Sequence, residues 1–231
     1  MSTYEKLVLF DIDGTIMNTD GAGDASFLRA LSAVFDRSFS TEGFSANGKT
    51  DTQIAYELAE RSGIPRAETE ARLGEIREHY LAGLKTELAG IEPTVFPGVL
   101  DLVAAVSDSS GCLTGLLTGN FEPGAWMKLD RIGLKAPFQM GAFGDGAASR
   151  DVLPGRAVER AKELTNRIFT EKEIVIIGDT PNDVACGRHL NVRSIAVATG
   201  RYDEAALAEA KPDALFGNLS DTAAVMKAIA P

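Results

Sequence analysis

The chain has 231 residues, 45% of them hydrophobic, and a formal net charge of -10 at pH 7. That is enough to bury a full core, as one large domain or two modest ones. The acidic balance argues against a nucleic-acid partner, which calls for a basic face. No apolar run reaches bilayer length and no secretory leader pattern opens the sequence, so a cytoplasmic protein without a membrane partner is expected. Cys112 and Cys186 form no CxxC pair and read as small buried side chains.

In chain order, the first strand-like run is Lys6–Asp11, inside LVLFDIDGT. It ends on two acids, Asp11 and Asp13, one residue apart. A buried carboxylate is costly unless compensated, so this pair reads as a solvated turn or as a charged site held by a cation. From 16 to 90 there is helical periodicity but no strand, with helices expected at Ala25–Phe35, Thr52–Arg61 and Ala67–Leu88. The chain re-enters the sheet layer near Glu92-Pro93 and Phe96-Pro97-Gly98. Further strands are expected at Leu113–Thr118, Glu173–Asp179, Ser194–Thr199 and Asp213–Phe216. Helical patterns alternate with them at Val99–Ser107, Ala125–Ile132, Leu153–Leu164, Asn182–Leu190, Glu204–Ala210 and Thr222–Ile229.

Short apolar runs alternating with helices predict a parallel sheet covered on both faces. The expected fold class is therefore α/β, a Rossmann-like parallel sheet core, with a small all-helical unit inserted after the first strand. Ligands of such sheets bind outside the carboxyl ends of the strands. Asp11, Thr118 and Asp179 each end a run and can converge there. Taken singly, Thr118-Gly119-Asn120 reads equally as a turn, Asp179-Thr180-Pro181 as a helix start, and Asp183 as an ordinary first-turn acid. The combination DxDGT, TGN and GDTPND, in this order at strand ends, is far more specific.

DIDGT, LLTGN and GDTPND resemble the first, second and fourth motifs of the haloacid-dehalogenase-like hydrolases, and the helical insertion is similar to that family's cap. The resemblance spans essentially the whole chain and is to the phosphoglycolate-phosphatase type. It implies a core of residues 1–15 and 91–231, a cap of 16–90, and a Mg²⁺-dependent phosphatase acting on a small phosphate ester. Asp11 would be the nucleophile that takes the phosphoryl group. Mg²⁺ would be held by the Asp11 carboxylate, the Asp13 backbone carbonyl and Asp179, with Asp183 close by or acting through water. Asp13 would protonate the leaving alkoxide and then activate water. Thr118, Gly119 and Asn120 would hold phosphoryl oxygens, and Gly14 would let the backbone turn closely around the phosphate. The resemblance leaves a monomer or a dimer open.

The third motif departs from the family pattern, since no Lys-Pro lies between the second and fourth. Arg150, just before a helical pattern, keeps the usual position better than Arg156 inside it. Arginine grips phosphate bidentately but has a different reach from lysine. In the insertion, Lys49 and Thr50 are expected to contact an anionic part of the substrate, or else to lie in solvent.

Other readings compete with this one. Gly43–Thr50 fits the P-loop pattern GxxxxGK[ST], but a phosphate loop must follow a buried strand and the residues before it are polar. Asp13 argues against a dehalogenase, because halide leaves without a proton. A phosphomutase would keep the same residues and stays open. His79 and His189 sit in no motif, and Trp126 is expected to pack a helix, close enough to the second motif to wall the site.

Overall fold

The computed structural model describes residues 4–230. Its centre is β1 (Lys6–Phe10), where Leu7, Val8, Leu9 and Phe10 are all fully buried. Side chains alternate across a strand, so Val8 and Phe10 enter one apolar cluster while Leu7 and Leu9 enter another. The neighbours β4 (Cys112–Leu117) and β6 (Ile174–Gly178) divide in the same way. Leu116, Val175 and Ile177 face the first cluster; Leu113, Leu117, Ile174 and Ile176 face the second.

The first layer is closed by α5 (Val99–Asp108), α6 (Glu122–Arg131) and α10 (Thr222–Ile229). The second is closed by α7 (Leu153–Thr165) through Leu153, Ala157 and Ala161. The order of the six-stranded sheet is β5-β4-β1-β6-β7-β8, where β5 is Met140–Ala142, β7 Arg193–Val197 and β8 Ala214–Phe216. Every pairing in it is parallel. The chain runs outward from β1 to β4 and β5, then crosses to β6 on the other side. That reversal opens a crevice at the carboxyl ends of β1, β4 and β6.

The inserted helices are α1 (Ala22–Phe35), α2 (Asp51–Arg61), α3 (Arg66–Ala71) and α4 (Leu73–Ala89). Their apolar faces make a separate cluster of Phe27, Leu31, Ile54, Leu58, Ile76, Tyr80, Leu84 and Leu88. Phe121, from the start of α6, joins it and ties this layer to the sheet layer. The Tyr80 and Phe121 rings meet edge to face with centroids 5.7 Å apart.

The structure departs from the sequence expectation in a few places. The insertion is not wholly helical: β2 (Met17–Asn18) pairs antiparallel with β3 (Thr94–Val95) as the chain leaves and re-enters the core. The helix expected over 67–88 breaks at Arg72, whose backbone leaves helical geometry while its guanidinium reaches the Val34 carbonyl and Glu75. The helix expected over 182–190 is α8 (Pro181–Cys186) followed by a 3-10 turn at Arg188–Leu190. The strand β5 escaped the pattern because Met-Gly-Ala carries no β-branched residue. Both cysteines are buried free thiols. No helix among the described residues is long and apolar enough to cross a membrane.

Candidate active site

Asp11, Thr118 and Asp179 each lie one residue beyond a strand, on β1, β4 and β6. With the inserted helices they line a cavity of about 430 Å³ that also takes in Asp13, Lys49, Asp51, Lys128, Arg150 and Arg201.

Asp11 is 4% exposed, and its Oδ1 accepts from Arg150 Nη2 at 2.9 Å. Burial pushes its carboxyl up to about 7, with Arg150 pulling the other way and Asp183 adding to the rise. Burial, Asp183 and Asp11 together raise Asp179 well above the usual carboxylate range. Arg150 is buried too. It ion-pairs with Asp183 Oδ1 at 2.5 Å and donates to the Leu117 carbonyl. Burial opposes its charge, but Asp183 and Asp11 outweigh that and raise its pKa. Arg156 instead donates from the surface to the carbonyls of Phe143 and Asp145. Arg150 is thus the basic residue beside Asp11.

Asp183 serves the scaffold more than an open site. Its Oδ2 accepts from the backbone N–H and hydroxyl of Thr180, closing the capping box of α8. Its Oδ1 is buried and accepts no hydrogen bond of good geometry. Ligand oxygens of Asp11, Asp179 and Asp183 lie within 4.8 Å of one another. Arg150 pairs with Asp11 and Asp183, and among the described residues Asp179 has no cation of its own, so three buried acids this close leave charge for a further cation to offset. The donors are all oxygens, as a hard divalent cation such as Mg²⁺ requires. The residues fit such an ion.

Asp13 turns away from this cluster. Its carboxylate accepts from Lys128 Nζ at 2.7 and 2.6 Å and from Asn120 Nδ2 at 2.7 Å. Thr118 Oγ1 accepts from Asn120 Nδ2 at 2.7 Å and from its backbone N–H at 3.3 Å. The Thr118 hydroxyl proton is thereby left for an acceptor in the cavity. Among the described residues the Gly119 N–H meets no protein acceptor. Gly119 has no room for a side chain, because a Cβ there would lie 2.0 Å from the Lys49 carbonyl.

Several expectations need correction. Asn120 spends both ends of its amide on Asp13, Thr118 and Lys128, so its side chain has no donor left for phosphate. The Gly14 N–H donates to the Met17 carbonyl. With φ at +89°, a Cβ on Gly14 would also lie 2.3 Å from the Asp179 carboxylate. The fully buried Thr50 donates to the Ala147 carbonyl and caps α2 by accepting from Gln53, so it does not face the cavity. Lys49 does line the cavity, paired with Glu57 and lying over the Phe44 ring. Gly43–Thr50 follows a loop and not a strand, which removes the P-loop reading. Trp126 packs on Phe143 outside the cavity, and both histidines are exposed.

Sequence reasoning missed Lys128 and the buried contact that Asp51 makes. Lys128 had a faint signal, since it falls three residues after Ala125 and beside Leu129, on the buried stripe of α6. Asp51 accepts from the Phe121 N–H at 2.7 Å, and burial pushes it up to about 7 despite the Lys128 charge.

Comparison with known proteins bears on the fold and the family. The chain is 26% identical to a phosphoglycolate phosphatase of Synechococcus elongatus over 222 residues, 94% of each protein. Among solved structures, a predicted phosphatase from Clostridium acetobutylicum superposes with a TM-score of 0.72 at 19% identity, covering 97% of this chain and 100% of that one. A putative beta-phosphoglucomutase from Thermotoga maritima gives 0.59 at 19% identity, covering 96% and 98%. Residues 5–191 match the family model of the haloacid dehalogenase-like hydrolases, and the chain belongs to that family.

Proposed function

We propose that the protein is a Mg²⁺-dependent phosphatase that hydrolyses a small phosphate monoester through an aspartyl phosphate on Asp11. One observation carries this reading. A buried carboxylate held by Arg150 and a second, lysine-held carboxylate two residues on face one cavity, beside a cluster of acids fit for a cation. The Asp11 carboxylate attacks phosphorus, and the Thr118 hydroxyl and Gly119 N–H receive the phosphoryl oxygens. Arg150 offsets the charge gathered there. Asp13, entering the step protonated, gives its proton to the leaving alkoxide, then as the carboxylate takes one from the water that attacks the aspartyl phosphate. Asp11, the Asp13 carbonyl and Asp179 would hold Mg²⁺, with Asp183 behind them positioning Arg150. Bound there, the ion would screen the repulsion between carboxylate and phosphate.

In this reading residues 1–15 and 91–231 form the catalytic core and 16–90 the cap that covers the substrate. The cap cation Lys49 is the residue proposed to meet an anionic group at the far end of the substrate. Phosphoglycolate leads the panel to be tested, because a relative similar over 94% of its length is named for it. The test is a screen of phosphate monoesters with Mg²⁺, scored for released phosphate and for isomerised sugar phosphate. Release from a small alkyl phosphate, lost in Asp11→Asn, is the expected result. Isomerisation without phosphate release would replace the phosphatase by a phosphomutase. Lys49→Ala should lower kcat/KM on a carboxylate-bearing ester more than on a small aryl phosphate.

A further inference from the structure

Lys128 belongs to no motif, and its charge is almost wholly buried, with the side chain 4% exposed. A lysine is rarely buried so far unless it is paired. Here the ammonium has three acceptors within 2.7 Å: both oxygens of Asp13 and Oδ1 of Asn120. These match its three donor protons. Asn120 then returns its Nδ2 to Asp13 Oδ2 and to Thr118 Oγ1. The Asp13 carboxylate is therefore clamped from two sides, although 41% of its side chain remains exposed.

The clamp is anchored in packed structure. Lys128 rises from α6 between Ala125 and Leu129, both fully buried in the sheet-layer core, while Phe121 at the head of the helix is locked into the inserted layer. Asp13 by contrast lies past the end of β1, on a turn where an exposed carboxylate would otherwise sample several rotamers. Proton transfer requires the acid within hydrogen-bond reach of the leaving oxygen, and small misplacement is costly.

We propose that Lys128, with Asn120 as its bridge, is a positioning residue that holds the Asp13 carboxylate toward the leaving oxygen of the substrate. The role rests on the reading of Asp13 as the acid–base group. Its consequence for the steps up to alcohol release is a dependence on the leaving group: there Lys128 matters only where the departing oxygen needs a proton.

The test compares kcat/KM for an alkyl phosphate and for p-nitrophenyl phosphate, since this ratio reports the steps through alcohol release. Lys128→Met keeps the apolar stem and removes the buried charge. It should lose ~10- to 100-fold on the alkyl ester and under ~3-fold on the aryl ester. Lys128→Gln keeps a donor, should lose less on the alkyl ester, and carries the comparison should the methionine variant not fold. In an Asp13→Asn background, the Lys128 change should cost nothing further on the alkyl ester. Equal losses on both esters, or additive losses in the double variant, would overturn the proposal. A selective loss in Asp13→Asn without one in either Lys128 variant would remove the positioning role alone. An alkyl ester spared in Asp13→Asn would remove the acid–base assignment and this role with it.

Discussion

At the scale of single residues, the site works against its own stability. Burial and like charge raise both Asp11 and Asp179, so the folded chain without a cation holds these acids at a cost. Asp179→Asn removes one of them while keeping an acceptor for the Thr15 hydroxyl. Its melting temperature without metal should therefore rise above that of the native chain, while the rise on adding Mg²⁺ should vanish. For the native chain, Mg²⁺ at a hundredfold its Kd should add about 2.7 kcal/mol. Thermal melts with EDTA and with Mg²⁺ measure both effects, and an undiminished Mg²⁺ response in the variant would remove Asp179 from the ligand set. Asp11, Thr118 and Asp179 were legible as strand-end residues because each follows an apolar run. Lys128 and Asn120 were not legible as partners of Asp13, because their meeting depends on how α6 packs against the sheet.

At the scale of elements, the turn 48–52 latches the inserted helices to the sheet layer. The Asp51 N–H donates to the Gly119 carbonyl, the Thr52 hydroxyl to the Gly144 carbonyl, and Asn182 to the Gly48 carbonyl. Asp51 caps this contact by accepting from Phe121. Burial raises Asp51 to about 7, so folding favours its protonated form. From about pH 4 the unfolded chain gives up this proton first, and the fold loses stability as pH rises, with the full penalty reached above about pH 7. Asp51→Asn keeps the acceptor and should flatten this part of the pH dependence. The difference between native and variant stability should grow by up to roughly 4 kcal/mol across that window. Urea melts from pH 4 to 8 would show it, and parallel curves would place the cost elsewhere. The latch explains why Thr50 was misread: a hydroxyl beside a lysine and a glycine suggests a substrate loop, but its burial comes from Ala147 and the head of α2. The break at Arg72 was equally hidden, since arginine is a good helix former and the nearby Gly74 lies inside α4.

At the scale of the molecule, the sheet core was the most readable part. Val8 and Phe10 on one face and Leu7 and Leu9 on the other required two covered layers, and alternating helices supplied them. Phe10→Ala should cost ~3–5 kcal/mol, because the ring is fully buried and packs edge to face on Phe138. Denaturant melts check this, and a loss below ~1 kcal/mol would mean that the core readjusts around the gap. The strand order was not legible, since the reversal after β5 depends on pairings far apart in sequence. That reversal sets Asp11 between Thr118 and Asp179, and so makes the site.

The central claim is that Asp11 carries the phosphoryl group during turnover. Acid quenching of the enzyme with Mg²⁺ and excess alkyl phosphate, followed by peptide mass spectrometry, tests this directly. The account predicts one added phosphoryl group on the peptide containing Asp11, confined to that side chain and absent from Asp11→Asn. A phosphoryl group on another residue, or full phosphate release by Asp11→Asn, would contradict it.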